Sequence, residues 1–439
     1  MHTMMRRPLI GNFSWSAAGN VVVAACQWGM LVALARLGNA ETVGAYTLAL
    51  AVTAPVALLF EMQLRSVLAT RNSPARTPGE FLAFRMSTGA LQMAVFGGAA
   101  WFLDRGSGTW IVMLGVGFNK TVEGFSDILY GVQQERDRLD LMARSQMARG
   151  ILYLVLLTAV LASGGTLEVG VFAMSGAALA ILAFDFRNAI ALVKEEPDAA
   201  RSLRPAWNRE ASRDLFRTAI SLGVSSMLIS CYTTIPRYFL EWKHGAATLG
   251  YLAAMAHFSV PGRTIVEALT QACLPRLSRY WRSDDRAFKK LVLRNLAAAA
   301  GVGVVTLGIS VAFGRPLLSL VYGSDFARES DVLVPLMLAA GLVFVCSVLG
   351  SALTASGHLQ VQLPITLGVV GSVAALSALL IPVQGLRGVA WALTASSALW
   401  VLCAGAILAM AMRRKAGRPE VESASPPGTL DAHLRRTES

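Results

Sequence analysis

The chain has 439 residues, of which 54% are hydrophobic and 15% are charged. This apolar excess exceeds that of soluble globular domains, so the composition excludes a soluble enzyme and predicts an integral membrane protein. The formal charge of +12 does not indicate nucleic-acid binding, because the basic residues lie between apolar runs instead of on one folded basic surface. We therefore expect no nucleic-acid partner.

Twelve apolar runs follow one another, each long enough to cross a bilayer as a helix of roughly 20 residues. We predict helices at residues 10–35, 42–64, 81–103, 109–131, 146–163 and 168–192, and then at 216–240, 248–273, 291–313, 331–355, 361–383 and 387–411. Residues 414–439, rich in proline, serine and charge, are predicted to be a disordered cytoplasmic tail. The predicted fold class is all-α, an integral membrane protein of about twelve transmembrane helices.

Lysine and arginine are concentrated in every second connection between the predicted helices. These connections include the segment after predicted helix 2, to which we assign Arg85, and the segment after predicted helix 4, to which we assign Arg149. Because cytoplasmic loops of membrane proteins are enriched in Lys and Arg, both termini are predicted to be cytoplasmic. The predicted location is the bacterial inner membrane, which the chain crosses many times.

An internal repeat is visible when the chain is shifted by 206 positions. Predicted helix 2 then superposes on predicted helix 8 at five identities: Thr42 and Thr248, Gly44 and Gly250, Pro55 and Pro261, Glu61 and Glu267, and Leu68 and Leu274. The repeat predicts two lobes of six helices, one over residues 1–200 and one over residues 201–413. In transporters built from such repeats, the substrate site lies between the repeats near the middle of the bilayer.

Ionisable side chains inside the predicted helices mark the candidate site. Each costs about 2.5–3.5 kcal/mol to insert, and by default it faces the bundle interior or an aqueous cavity. Lys120, Glu123 and Asp127 follow a spacing of three and then four residues, which places them on one face of predicted helix 4. A spacing of four joins two further pairs of opposite charge: Arg263 with Glu267 on predicted helix 8, and Glu61 with Arg65 at the end of predicted helix 2.

Two interpretations of these groups remain open. The pairs could simply neutralise each other and hold helices together, or their basic members could bind an anionic, phosphate-bearing substrate. Lys120 and Arg263 lie deep in their helices and are the first substrate-binding candidates, whereas Arg237 and Arg65 lie nearer the membrane faces, where interfacial anchoring competes with that role. The candidates for coupling transport to an ion gradient are Glu61, Glu123, Asp127, Asp185, Glu267 and His257.

Motifs for nucleotides and metals are absent from the sequence. It contains no GxxxxGK[ST] loop and no HExxH motif, and its five histidines are scattered. We therefore expect no cofactor, no metal, no catalytic residue and no ATP-driven transport by this chain alone.

Several short segments spread over the chain suggest a family. The first helices carry Trp15, Gly19-Asn20, Gln27-Trp28, Leu34 to Gly38, Val43-Gly44 and Leu64-Arg65, and later segments read GVQQERDRLDLMARSQMARG from Gly131, LPRLSRYW from Leu274, VYGSDFA from Val321 and ALTASGH from Ala352. Together they resemble Wzx-type polysaccharide flippases of the multidrug, oligosaccharidyl-lipid and polysaccharide exporter superfamily. The resemblance covers all twelve predicted helices.

This resemblance implies a V-shaped pair of lobes around a cavity that opens alternately to the two sides of the membrane. It implies that the protein flips undecaprenyl-pyrophosphate-linked oligosaccharide units across the inner membrane for O-antigen lipopolysaccharide or exopolysaccharide biosynthesis. The implied partners are this lipid-linked oligosaccharide, membrane lipid, a polysaccharide polymerase and a chain-length regulator. Lys120 and Arg263 are the residues that suit the cationic cavity of the family.

Two other functions compete with the flippase. A multidrug or cation antiporter of the same superfamily would use acidic cavity residues, but Lys120 and Arg263 would repel a cationic drug. A membrane polysaccharide polymerase or ligase handles the same lipid, yet such enzymes usually carry a large periplasmic loop, and no outward loop here exceeds roughly fifteen residues. We therefore expect a transporter rather than an enzyme.

Overall fold

The computed structural model describes residues 9–69, 77–103, 108–193 and 203–416, which form a bundle of helices. The helices are α1 (Leu9–Leu37), α2 (Ala40–Glu61), α3 (Leu64–Ala69), α4 (Pro78–Leu103), α5 (Thr109–Glu135), α6 (Leu139–Ala162), α7 (Leu167–Val193), α8 (Arg209–Ala256), α9 (Val260–Ser283), α10 (Asp285–Val321), α11 (Ser324–Ala327), α12 (Leu333–Ala355), α13 (Gln362–Gln384) and α14 (Leu386–Ala416). Short 3₁₀ turns cover His257–Ser259, Ser330–Val332 and Leu359–Val361.

Nine helical stretches of the described residues are long and apolar enough to cross a membrane. One of them, Arg209–Ser283, contains two crossings, because the backbone of α8 leaves the helical conformation at Gly245, where φ is 81°. α4 and α5 also have the length of a crossing, but polar residues such as Gln92 and Lys120 lower their hydropathy. The described part of the chain thus has twelve crossings, which confirms the predicted all-α membrane fold.

The packing of the helices repeats after six crossings. In the first half, α1 packs on α6, α2 and α4 pack on α5, and both α5 and α6 pack on α7. The second half contains the equivalent pairs: α8 packs on α13, α9 and α10 pack on α12, and both α12 and α13 pack on α14. The protein therefore consists of two six-crossing lobes of like topology, which we call the N-lobe (α1 to α7) and the C-lobe (α8 to α14).

Some predicted boundaries differ from the observed ones. The predicted division between residues 200 and 201 lies outside the described residues, as does the predicted tail from residue 417 onward. α14 continues to Ala416, so residues 414–416 are helical and do not belong to a tail.

The predicted end of helix 2, at residue 64, is wrong. α2 stops at Glu61, Met62 and Gln63 both have a φ of 49°, and the separate helix α3 begins at Leu64. Glu61 and Arg65 therefore do not lie one turn apart on a single helix. The predicted pair of Glu61 and Arg65 is therefore wrong: Arg65 pairs with Asp127, and Glu61 interacts with Arg85.

The two lobes meet where α2 crosses the part of α8 that follows Gly245. A Cβ atom added to Gly44 would lie 1.8 Å from the carbonyl oxygen of Ala246, and one added to Gly250 would lie 2.0 Å from that of Ala40. A shift of 206 residues converts one contact into the other, so the crossing is reciprocal. Small residues four apart on both helices permit this backbone approach.

We expect alanine at Gly44 or Gly250 to destabilise the protein, because the added methyl group would overlap a backbone carbonyl. Overpacking of this kind costs about 1–3 kcal/mol. The measurement is the apparent melting temperature of the purified protein in detergent. Gly97→Ala is the matched control, since no atom of the described residues lies within 4 Å of the Cβ position there. Equal melting temperatures for Gly44→Ala, Gly250→Ala and Gly97→Ala would contradict the close crossing.

Candidate functional site

Each lobe has one cavity, and a few residues of the other lobe complete its lining. The N-lobe cavity, of about 390 Å³, is lined by α1, α2, α5, α6 and α7 and, from the C-lobe, by Arg237, Ala253 and His257. The C-lobe cavity, of about 490 Å³, is lined mainly by α8, α9, α12, α13 and α14, with Leu58 contributed by α2. Arg237 lines both cavities, so they adjoin at this side chain, and we refer to the two together as the central space.

Lys120 lies in the N-lobe cavity, where it is paired with an acid on its own helix. Its Nζ atom is 2.8 Å from Oε2 of Glu123, one turn further along α5. Both side chains are half-buried and line the cavity. Lys120 and Glu123 therefore lie on one face of α5, as predicted. Each of the two interpretations holds in part: Lys120 faces the cavity, and Glu123 neutralises its charge.

Arg149 is a second cation in the N-lobe cavity, and the sequence analysis missed it as a site residue. Its Nη2 atom donates a hydrogen bond to the Tyr130 hydroxyl at 2.5 Å and lies 3.7 Å from Oδ2 of Asp185 on α7. Asp185 is fully buried, and the Arg149 side chain is 12% exposed. We placed Arg149 in a loop because the predicted helix began at residue 146, whereas α6 begins at Leu139. The signal available in the sequence was Asp185, since an acid inside a membrane helix requires a partner.

A further charge network lies at the end of the N-lobe where α2 stops. Arg65 of α3 pairs with Asp127 of α5 at 3.3 Å, so Asp127 does not join the Lys120 pair despite their common helix face. Arg85 also belongs to this network: it is 1% exposed, and its Nη1 atom donates to the Phe60 carbonyl at 3.0 Å. Glu61 interacts electrostatically with Arg85.

Arg85 is thus a buried residue of α4 and not the loop residue predicted from the sequence. Its guanidinium group rests on Gly124, where an added Cβ atom would lie 1.7 Å from Nη2. Neither Arg65 nor Arg85 lines the two cavities. We conclude that the network holds α2, α3, α4 and α5 together beside the central space.

The C-lobe cavity contains the predicted pair on α9. Nε of Arg263 lies 2.7 Å from Oε1 of Glu267, one turn along the helix. Both side chains line the cavity, and they are 64% and 46% exposed. This part of the cavity is therefore open to its surroundings, and a ligand could reach both charges without any movement of the helices.

Arg237 differs from the other cavity cations. Within the described ranges, no carboxylate lies within 4 Å of its guanidinium group, although the side chain is half-buried between the two cavities. Its neighbour His257 is held in the 3₁₀ turn, where Nδ1 donates to the Ala253 carbonyl at 3.0 Å. Lys120, Arg149 and Arg263 each have an acidic partner, so Arg237 leaves the central space with a net positive charge.

Uncharged polar groups complete the lining. Asn20, Gln27 and Gln146 face the N-lobe cavity together with Asn119, which is 4% exposed. The side-chain oxygen and nitrogen of Asn119 make no hydrogen bond with any described residue. A buried amide without hydrogen-bond partners is costly in free energy.

Contacts between α1 and the C-terminal end of α10 join the two lobes at the end where α1 stops. Nε1 of Trp28 donates to the Tyr322 hydroxyl at 2.7 Å. The Arg36 guanidinium donates to the carbonyls of Ser319 and Val321 at 3.2 and 3.0 Å, at the C-terminal end of α10. Carbonyls in the last turn of a helix have no helical partners, so a cation placed there stabilises the end of the helix. We call this region the Arg36 end.

We predict that Asp185→Asn destabilises the protein by about 3–5 kcal/mol, because it leaves the buried Arg149 charge without its partner. The matched control is Asp331→Asn, which removes the acid of the exposed Arg387–Asp331 pair and should cost at most about 1 kcal/mol. The double variant Arg149→Gln/Asp185→Asn should recover part of the loss. The readout is the apparent melting temperature, and equal effects of the two single variants would refute the buried pair.

Comparison with known proteins agrees with this architecture. The family described as polysaccharide biosynthesis protein matches residues 9–281. Capsular polysaccharide biosynthesis protein CapF of Staphylococcus aureus is 27% identical over 393 residues, which cover 88% of this chain and 96% of CapF.

Two solved structures share the fold at 12% identity. An inward-facing multidrug resistance MATE family transporter of the MOP superfamily has a TM-score of 0.73, over 90% of this chain and 96% of the transporter. The lipid II flippase MurJ, in an inward closed conformation, also has a TM-score of 0.73, over 91% of this chain and 89% of MurJ. These similarities show that the chain shares the fold of both proteins, and together with its long apolar helices they support a multi-pass membrane location. The chain belongs to the polysaccharide biosynthesis protein family.

Proposed function

We propose that this protein is a flippase that moves oligosaccharides linked to undecaprenyl pyrophosphate from the cytoplasmic to the periplasmic leaflet. The product would serve the assembly of a surface polysaccharide such as O-antigen, capsule or exopolysaccharide, where a polymerase and a chain-length regulator would act next. Membership of the polysaccharide biosynthesis protein family supports this cargo.

The main support for this proposal is the position of Arg237, which lines both cavities and has no carboxylate partner among the described residues. A pyrophosphate group entering the central space would meet an arginine that no described carboxylate neutralises, at the junction of the two cavities. The planar guanidinium fork of arginine suits phosphate oxygens. Lys120 and Arg263, on opposite sides of Arg237, could turn from their own acids toward the same anion, while Asn119 and the neighbouring amides could bind sugar hydroxyl groups.

Alternating access would require the Arg36 end to open. We propose that this end faces the periplasm and that both termini are cytoplasmic, in agreement with the distribution of basic residues. The open side of the C-lobe cavity, at Arg263 and Glu267, would then admit the lipid-linked cargo from the cytoplasmic leaflet. Separation of Trp28 from Tyr322 and of Arg36 from α10 would release the cargo on the other side.

Coupling to an ion gradient is part of the proposal. Each acid beside a cavity cation or in the adjoining network is a candidate for protonation or cation binding during transport: Glu61, Glu123, Asp127, Asp185 and Glu267, with His257 as a further proton acceptor. Neutralising Glu123 or Glu267 would free Lys120 or Arg263 for the anionic cargo, which links ion binding to substrate binding.

The charges disfavour the two competing functions. A cationic drug would meet the unpaired Arg237, and the cavity acids Glu123 and Glu267 already hold cations. For a polymerase or ligase, the cavity acids Glu123 and Glu267 are already paired with cations and are therefore poor general bases.

The test is complementation of a bacterial strain that lacks its own flippase, read as surface polysaccharide per cell at matched membrane levels of each variant. We expect Arg237→Gln to reduce export at least tenfold, Arg237→Lys to retain part of it, and Lys120→Ala or Arg263→Ala to impair it. Arg315→Gln is the control, because this exposed residue of α10 lines neither cavity. Normal export by Arg237→Gln, Lys120→Ala and Arg263→Ala would contradict the proposal.

A further inference from the structure

A dense group of basic side chains lies where α9 joins α10, away from the cavities. Seven of them are exposed on the last turns of α9 and the first turns of α10: Arg276, Arg279, Arg282, Arg286, Lys289, Lys290 and Arg294. Arg413 and Arg414, at the end of α14, are exposed as well. We call these nine residues the basic face.

The end of α14 is held against the α9–α10 junction, which makes the basic face continuous. Nζ of Lys415 lies 2.5 Å from Oδ1 of Asp285 and also contacts the Trp281 carbonyl and ring. Arg413 and Arg414 immediately precede this contact. The three helix ends therefore present their charges together.

The acids nearby do not neutralise the basic face. Asp284 accepts a hydrogen bond from the Ala287 backbone N–H at 2.9 Å and so caps α10, while Asp285 is paired with Lys415. Within the described ranges, none of the nine basic side chains forms an ion pair. A surface with this much uncompensated charge attracts a polyanion.

The position of the basic face indicates which polyanion it meets. Leu293 of α10 and Ile265 of α9 are 55% and 57% exposed, so apolar side chains that suit lipid tails lie on the same two helices. Arg286, Lys290 and Arg294 follow one another at four-residue spacing along one face of α10, and therefore reach successive depths about 6 Å apart. Trp281 lies among them, and tryptophan is enriched at the level of lipid headgroups.

We infer that the basic face binds the phosphate groups of anionic phospholipids in the leaflet that it borders. Clusters of Lys and Arg directly beside a membrane helix attract anionic headgroups over neutral ones. Such lipids would bridge α9, α10 and α14. This inference concerns structural lipid and does not depend on the identity of the transported cargo.

The experiment measures lipid selectivity of the full chain. The purified protein in neutral detergent is incubated with equal amounts of phosphatidylglycerol and phosphatidylcholine, purified again, and its retained lipids are quantified by mass spectrometry. We expect phosphatidylglycerol to be enriched several-fold, and the enrichment to fall at 0.5 M salt, where charges are screened over about 4 Å.

The variant Arg279→Gln/Arg286→Gln/Lys290→Gln should lose at least half of the enrichment, and Lys289→Gln/Arg294→Gln should lose part of it. The matched control, Arg315→Gln/Arg328→Gln/Arg387→Gln, removes the same charge from exposed positions outside the basic face and should keep the enrichment. The inference would be overturned if both basic-face variants retained as much phosphatidylglycerol enrichment as the wild-type protein. That result would also be expected if the basic face bound an acidic protein instead of lipid. Equal losses in the first variant and the control would also overturn it, because the effect would then reflect net charge.

Discussion

The crossing of α2 with the second part of α8 is the constraint on which the central space depends. At Gly44 and Gly250 the two backbones touch, so these helices cannot approach further, and a side chain at either position would overlap a backbone carbonyl unless the helices shifted. The contact is reciprocal, since each glycine meets an alanine carbonyl of the other lobe. Two like lobes joined in this way bring their two cavities side by side, and Arg237 lines both of them.

The described cations that line the central space follow one rule with one exception. Lys120, Arg149 and Arg263 each lie near a carboxylate, as the cost of placing a charge among membrane helices requires. Arg237 lacks such a partner among the described residues. Pairing lowers the cost of burying these charges when the site is empty, and the exception supports the proposed anionic cargo. Under the proposed function, the same pairs would resist a cationic drug.

The sequence predicted the fold better than the site. Apolar runs are sufficient to place twelve crossings, and the 206-residue shift identified both glycines of the lobe contact. Hydropathy could not place Arg149, because an arginine within a helix and a loop both lower the local hydropathy. Its partner Asp185 also lies on another helix, so no spacing along one helix connects the two. The stop of α2 also lacked a signal, since Met62 and Gln63 adopt positive φ without glycine. The special role of Arg237 depends on how the lobes pack, which no local pattern encodes.

A flipping assay with the purified protein tests most directly whether it moves an anionic, lipid-linked oligosaccharide across a bilayer. Liposomes are prepared with the protein and with a fluorescent oligosaccharide linked to polyprenyl pyrophosphate in both leaflets, and a quencher that cannot cross the membrane is added outside. With the wild-type protein, quenching should exceed the half of the fluorescence that lies in the outer leaflet. With Arg237→Gln, or without protein, it should stay near that half. Quenching limited to the outer half with active, correctly folded wild-type protein, under every imposed ion gradient, would contradict it.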